Sequence, residues 1–259
     1  MPQHAGLRRV NILGVGVHAI DIHQVLEQVC SAIEDGRKGY VCVTGVHGIM
    51  EAQTDSQFRS ILNRSAITAP DGMPTVWVGW LRGFSGMRRV FGPDFMLETC
   101  KMSVAKGYTH FLYGGAPGVA QELAERLARR FPGLKIVGTF TPPFRPLNPR
   151  EESSLRQMVA TSRPHIFWTG LSTPKQERFM ARYLPTLDTH LMIGVGAAFD
   201  LHTGRIQDAP DLIKNAGLQW LHRFSQEPSR LWKRYLLNNP RFVFKMAGQL
   251  IGLTRYDCV

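Results

Sequence analysis

Short apolar runs of strand type recur along the chain at Val10–Val17, Tyr40–Thr44, His110–Tyr113, Leu134–Phe140, His165–Thr169 and His190–Val195. Between most of them lie segments in which apolar residues return every three or four positions. From Asp21 to Glu34 these are Ile22, Val25, Leu26, Val29 and Ile33, with Asp21 well placed as the N-cap. Strands alternating with helices predict an α/β fold with a largely parallel sheet covered on both faces. In such sheets ligands collect beyond the carboxyl ends of the strands, where Gly-rich turns lead into helices. From about Leu212 the pattern turns wholly helical and rich in Trp and Arg, so residues 209–259 read as a helical appendage to a core of residues 1–208. The segment Thr139–Pro149, with four prolines in eleven residues, reads as a surface loop.

Composition narrows the class. With 259 residues, 44% apolar and 20% charged, the chain can bury one sizeable core, and a disordered or fibrous class is disfavoured. Cys30, Cys42, Cys100 and Cys258 are scattered without a C-x-x-C pair, which fits a reducing compartment. The apolar stretch after the first arginines is broken by Asn11 and two glycines and reads as a first strand rather than a leader. No window approaches the roughly 18 consecutive apolar residues of a membrane-spanning helix. A formal charge of +11 calls for a polyanionic partner, and residues 215–259 alone hold seven Lys or Arg against Glu227 and Asp257. Pro228 opens a helix on which Arg230, Lys233 and Arg234 share a face, with Trp232, Tyr235 and Leu236 beside it. That mixture suits a helix lying on an anionic membrane surface.

Four constellations can carry chemistry. Asp71, in Ala69-Pro70-Asp71-Gly72-Met73-Pro74, ends a short apolar run and could accept a proton from an incoming hydroxyl, although spacing alone favours a helix cap or an Asx turn. In Gly170-Leu171-Ser172-Thr173-Pro174-Lys175-Gln176-Glu177, Pro174 announces a helix whose first turn carries Gln176, which could orient a sugar or phosphate oxygen or simply belong to a well-capped helix. The turns Gly114-Gly115-Ala116-Pro117-Gly118 and Gly194-Val195-Gly196 could admit a phosphate at a helix N-terminus. Asp200 could take a ribose hydroxyl or a base, though a lone Gly-x-Gly is a weak signal. Arg88 and Arg89 could meet a diphosphate, a role more often replaced by a solvated face. There is no Asp-x-Asp pair to bring a divalent metal to a nucleotide-sugar diphosphate, no Walker-type loop, no Gly-x-Ser-x-Gly elbow and no His-Glu-x-x-His, and of the dispersed histidines only His47 and His222 fall near these segments.

Taken together, PDGMPTVW at 70–77, RRVFGPDFM at 88–96, FLYGGAPGV at 111–119, GLSTPKQERF at 170–179, GVGAAFDLHTGRIQDAP at 194–210 and GLQWLHRFSQEPSRLWKRYLLNNP at 217–240 resemble the WecG/TagA/CpsF family of glycosyltransferases, in order and over most of the chain. The resemblance implies a Rossmann-like α/β core with a C-terminal helical appendage that attaches to the inner face of the cell membrane and completes the active site. It implies an inverting, metal-independent and cofactor-free transfer from a UDP-sugar. The sugar would be N-acetylmannosamine, its uronic acid or a hexose, and the acceptor a polyprenyl-diphosphate-linked saccharide, as in teichoic acid or exopolysaccharide assembly. By position it makes Asp71 the base, with Arg89 and Gln176 beside it. Arg223, Arg230 and Lys233 or Arg234 fall to the donor diphosphate, and Gly114, Gly115, Gly196 and Asp200 to the nucleotide. In the early block, Val43-Thr44-Gly45-Val46-His47 puts Gly45 where the resembling sequences have Asn, leaving Thr44 and His47 as candidates for the sugar or acceptor. A homo-oligomer stays open.

Two other classes compete. A dinucleotide-dependent oxidoreductase would use the Gly-rich turns, but residues 114–118 lack the Gly-x-Gly-x-x-Gly spacing. A nucleic-acid-binding protein would explain the charge, but no binding motif is present, and nucleic acid is not an expected partner.

Overall fold

The computed structural model describes residues 7–258 except residue 216, and of Asp211, Asn215, Arg230, Lys233 and Arg234 it describes the backbone alone. The chain opens with β1 (Arg9–Ile12) and β2 (Val15–His18), then α1 (Ile22–Glu34), β3 (Gly39–Thr44), α2 (Val46–Thr54), α3 (Ser56–Arg64), β4 (Ile67–Pro70), α4 (Met73–Leu81) and α5 (Gly92–Lys106). It continues through β5 (Thr109–Gly114), α6 (Val119–Arg130), β6 (Lys135–Phe140), α7 (Pro149–Ser162), β7 (Ile166–Gly170), α8 (Lys175–Tyr183), β8 (Leu191–Gly194) and α9 (Ala198–His202). The last stretch is helical: α10 (Asp211–Asn215), α11 (Gln219–Gln226), α12 (Pro228–Trp232), a π-helical turn Lys233–Leu237 and α13 (Asn238–Leu250).

Six strands form one sheet in the order β4-β3-β8-β7-β5-β6, and the pairs β3–β8, β8–β7, β7–β5 and β5–β6 are all parallel. The alternating strand and helix pattern therefore gives the expected Rossmann-like α/β fold with a helical C-terminal segment. Central strands read as continuous apolar runs because helices cover both faces: every residue of β3 and β8 is buried. Pro70 is tolerated in β4 because that strand lies at the sheet edge.

The run Val10–Val17 is a hairpin rather than the single strand its apolar pattern suggests. Leu13 and Gly14 both take positive φ, 52° and 83°, which turns β1 back on β2 with the twist a two-residue hairpin requires. Apolar periodicity does not register such a turn, since Leu13 is itself fully buried.

Within the described residues the chain divides into two compact units. One takes the residues up to Ile22, Val43–Phe91 and those from Ile206 onward, and the other takes His23–Cys42 and Gly92–Arg205. In the first, α13 buries Phe242, Met246 and Gln249, one helical stripe. Gln249 receives the Leu13 backbone N–H at 2.9 Å and donates to the Asn11 carbonyl at 3.2 Å, so the C-terminal helix supplies partners for the hairpin turn. In the second, Trp168, Phe111 and Phe167 are buried, and Phe111 stacks on Phe167 with centroids 5.1 Å apart.

The second unit also buries His110. Its Nδ1 accepts the Trp168 indole N–H at 2.8 Å, so the ring is held neutral, and burial followed by the nearby His165 lowers its pKa from 6.5 to about 3. Below pH 6.5 the unfolded chain takes up a proton there that the folded chain refuses, so this contribution is full above 6.5 and is lost as pH falls toward 3. The thermal midpoint is accordingly expected to drop between pH 6.5 and 4. In His110→Asn, which keeps an acceptor without the titration, the slope should be shallower; an unchanged slope would clear His110 of the effect.

Candidate active site

Asp71 follows the last residue of β4, and its backbone N–H donates to the Thr44 carbonyl at the end of β3, 2.9 Å away. The N-cap of α4 is Gly72, so Asp71 stands one residue before the cap rather than serving as it. Its side chain is 37% exposed, and the carboxylate Oδ1 lies 3.8 Å from Arg89 Nε. The Arg89 guanidinium is itself held in place. It lies over the Phe91 ring, 4.3 Å from the centroid, and its Nη2 donates to Gln219 Oε1. Gln219 donates in turn to Asp208 Oδ1 at 3.3 Å, and Asp208 Oδ2 accepts from Lys214 Nζ at 2.8 Å. A polar chain thus runs from the carboxylate at the end of β4 to the start of α11, all inside one compact unit. Buried Arg89 Nε has no hydrogen-bond partner among the described residues.

Thr44 is 3% exposed, and its hydroxyl is buried with no hydrogen-bond partner among the described residues. A buried hydroxyl left unmatched costs roughly 1–3 kcal/mol, so one kept on the residue whose carbonyl holds the Asp71 backbone suits a ligand that would complete it. Gly45, the N-cap of α2, has ordinary extended dihedrals, φ −112° and ψ −165°. What requires glycine there is space, because a Cβ would lie 2.5 Å from the Asp71 carbonyl oxygen. A side chain at this position is therefore incompatible with the present path of Asp71. His47 Nδ1 lies 3.7 Å from Glu51 and 3.5 Å from the Asn238 amide of α13.

The second unit gathers a different set. Gln176, in the first turn of α8 and 2% exposed, accepts the Gly196 N–H at 2.9 Å and donates to Glu177 Oε1 at 3.1 Å. Glu177, 1% exposed, also receives the Thr173 hydroxyl at 2.8 Å. Gln176 thus clamps the turn after β8, and its carbonyl is already engaged. Gly114, with φ 134°, packs against the end of β7, where a Cβ would fall 2.4 Å from the Gly170 carbonyl oxygen, and the Gly115 N–H donates to that same oxygen at 3.1 Å. Asp200 lies in α9, its carbonyl accepting the Arg205 N–H at 2.8 Å. The fully buried Thr169 hydroxyl at the end of β7 has no partner among the described residues.

Arg223, on α11, meets Glu227 one turn on at 3.4 Å, and its buried Nε has no hydrogen-bond partner among the described residues. The side chains of Arg230, Lys233 and Arg234 lie outside the described residues. Among the described residues no group of three or more His, Cys, Asp or Glu could hold a metal ion, and no helix is long and apolar enough to cross a membrane. Sequence reasoning singled out Asp71 and Arg89 but missed Gln219, Asp208, Lys214 and Thr169. Asp208 and Gln219 stand in quoted blocks, yet only contacts distant in sequence give them a role.

A parallel α/β sheet with a carboxylate and a clamped guanidinium beyond one strand end has these groups where α/β enzymes commonly bind their ligands. A sequence profile of the glycosyl transferase WecG/TagA/CpsF family matches residues 10–256, and the chain belongs to that family; it is a glycosyltransferase. Two Bacillus proteins named N-acetylglucosaminyldiphosphoundecaprenol N-acetyl-beta-D-mannosaminyltransferase are similar to it. That of Bacillus spizizenii is 29% identical over 210 residues, 81% of this chain and 79% of that protein, and that of Bacillus subtilis is 26% identical over 195 residues, 75% and 73% respectively.

Gly45→Ala is expected to destabilise the fold by about 1–3 kcal/mol, as overpacking does, and to depress turnover by shifting Asp71. A variant with the thermal midpoint and turnover of the unaltered chain would show that the close approach does not constrain the site.

Proposed function

We propose that this enzyme transfers N-acetylmannosamine, or a closely related sugar, from a UDP-sugar to a saccharide linked to a polyprenyl diphosphate, at the inner face of the cell membrane. The observation that carries the reading is the Asp71 carboxylate, partly exposed at the end of β4, with Arg89 held beside it by Phe91 and Gln219. The names of the two Bacillus relatives support the acceptor and the sugar.

In the proposed reaction the acceptor hydroxyl oxygen attacks the anomeric carbon of the donor. Asp71 takes the hydroxyl proton, the new C–O bond forms as the bond to the diphosphate breaks, and the nucleoside diphosphate leaves with the electron pair. One in-line displacement inverts the anomeric configuration. The departing charge is met by cationic side chains, Arg223 with Arg230 and Lys233 or Arg234, rather than by a metal ion. Arg89 orients the base. The unmatched Thr44 hydroxyl is a candidate contact to the acceptor or sugar, with His47 near it. In the other unit, Gln176 shapes the Gly196 turn, and the Gly114-Gly115 turn and Asp200 are the candidates for the nucleotide.

The C-terminal segment supports attachment to a membrane surface. Val243 and Phe244 on α13 are exposed opposite the buried Phe242 and Met246, Ile251 and Leu253 follow, and Arg241 and Arg255 supply positive charge on the exposed side.

Asp71→Asn is expected to keep donor affinity and thermal stability while turnover falls about 10²–10⁴-fold, the size of a general-base contribution. Turnover close to that of the unaltered enzyme would remove Asp71 from the role. Arg223→Ala should lower kcat by about 10²-fold, the loss typical of one preorganised donor at a developing charge. Release of nucleoside diphosphate from a panel of UDP-sugars should be unaffected by a chelator, whereas strict dependence on a divalent ion would contradict an arginine-based leaving-group site.

A further inference from the structure

The helix that begins just after Asp71 carries no charged residue, its sequence being Met-Pro-Thr-Val-Trp-Val-Gly-Trp-Leu. Its inner face is buried through Thr75, Val76, Val78 and Gly79. The outer face is also apolar: Trp77 is 43% exposed, Trp80 42% and Leu81 71%. Spaced three and four residues apart, these side chains adjoin on one stripe. An outward-facing stripe of two tryptophans and a leucine is not explained by folding, which rewards burying such surface.

A second apolar edge meets this stripe within the same compact unit. Gly217 packs against the near end of α4, where a Cβ would lie 3.1 Å from both Met73 and Trp77, and its φ of 72° also favours glycine. The residues that follow, Leu218 and Leu221, are 44% and 48% exposed. Gln219, between them, is the residue that grips Arg89 beside Asp71. The apolar strip and the proposed catalytic carboxylate are therefore continuous both through the chain, at Asp71 to Met73, and through the Arg89–Gln219 contact.

The strip has a direction. It starts at the carboxylate and runs the length of α4, about 12 Å from Met73 to Leu81 at 1.5 Å per residue. It ends among the exposed Arg82 and Arg88, and the Arg88 guanidinium stands 5.9 Å from the Trp80 ring centroid. An uncharged apolar track with a proton acceptor at one end and cations at the other matches an acceptor whose sugar must reach the carboxylate while its chain comes from an anionic bilayer.

We infer that the strip formed by Met73, Trp77, Trp80 and Leu81 of α4, edged by Leu218 and Leu221, holds the first part of the polyprenyl chain of the acceptor. This rests on the proposed function and assigns a site to the lipid portion of its substrate. Chain recognition then belongs to the helix that follows the base, separate from the exposed face of α13 proposed to meet the membrane.

The test compares two synthetic acceptors, N-acetylglucosaminyl diphosphate carrying an undecaprenyl chain or a short alkyl chain, both assayed in detergent micelles with the full-length enzyme. Leu81→Ser and Leu218→Ser, at exposed positions, and Trp77→Ser are each introduced singly. Each variant is expected to raise KM for the undecaprenyl acceptor about tenfold, the effect of losing roughly 1.4 kcal/mol of apolar contact. Donor KM, kcat and the constants for the short acceptor should change little. Equal losses on both acceptors, or no loss on either, would overturn the inference. So would an effect that disappears in micelles but appears as weaker sedimentation with anionic vesicles, since the strip would then meet the bilayer. A change in oligomeric state as the only consequence would reassign the strip to a second copy of the chain. Failure of the unaltered enzyme to glycosylate either acceptor would overturn the proposed function itself, a result distinct from all of these.

Discussion

The hydrogen bond from the Asp71 backbone to the Thr44 carbonyl, made over a glycine with no room for a side chain, ties the ends of two strands together and sets where the carboxylate stands. Because the Asp71 carbonyl runs within 2.5 Å of where a Cβ of residue 45 would sit, position 45 is closed to a side chain while Asp71 keeps this path. The adjacent Thr44 has its carbonyl engaged, while its hydroxyl has no hydrogen-bond partner among the described residues, which is why it is the proposed contact. The departure from the resembling sequences at Gly45 is thus a packing consequence as well as a chemical one.

Arg89 shows how this region relates to the C-terminal segment. A guanidinium is an effective neighbour for a carboxylate only when its plane is fixed, and three groups fix this one: the Phe91 ring, the Asp71 carboxylate and the Gln219 amide. Gln219 stands at the first position of α11 and is itself held by Asp208. The residues after 206 therefore belong to the same compact unit as the β4 end, with α13 and the β1–β2 hairpin sharing Gln249 further along.

In the other unit the Gly-rich turns are explained largely by close packing. Gly114 lies against the Gly170 carbonyl, and Gly194 lies against Gln176 and Met180. Gln176 is more engaged than a free substrate ligand would be, since its carbonyl supports the Gly196 turn. With one amide N–H given to Glu177, what it can offer a ligand is its second donor, and its larger contribution is to hold the turn.

The sequence by itself determined the alternation of strands and helices, the fully apolar character of the central strands, the helical end and the family, because these are written in local periodicity and in ordered blocks of neighbouring residues. It also marked Asp71 and Arg89, whose blocks are contiguous. It could not reveal the hairpin at Leu13-Gly14, since a buried leucine in a turn has the same hydrophobicity as one in a strand. Nor could it reveal why position 45 is glycine, that Gln219 holds Arg89, or that one stripe of the apolar α4 stays exposed. The first two of these arise from groups 26 and 130 positions apart meeting in space, Gly45 with Asp71 and Arg89 with Gln219. Local pattern records which residues can be buried, and only the tertiary structure decides which of them meet.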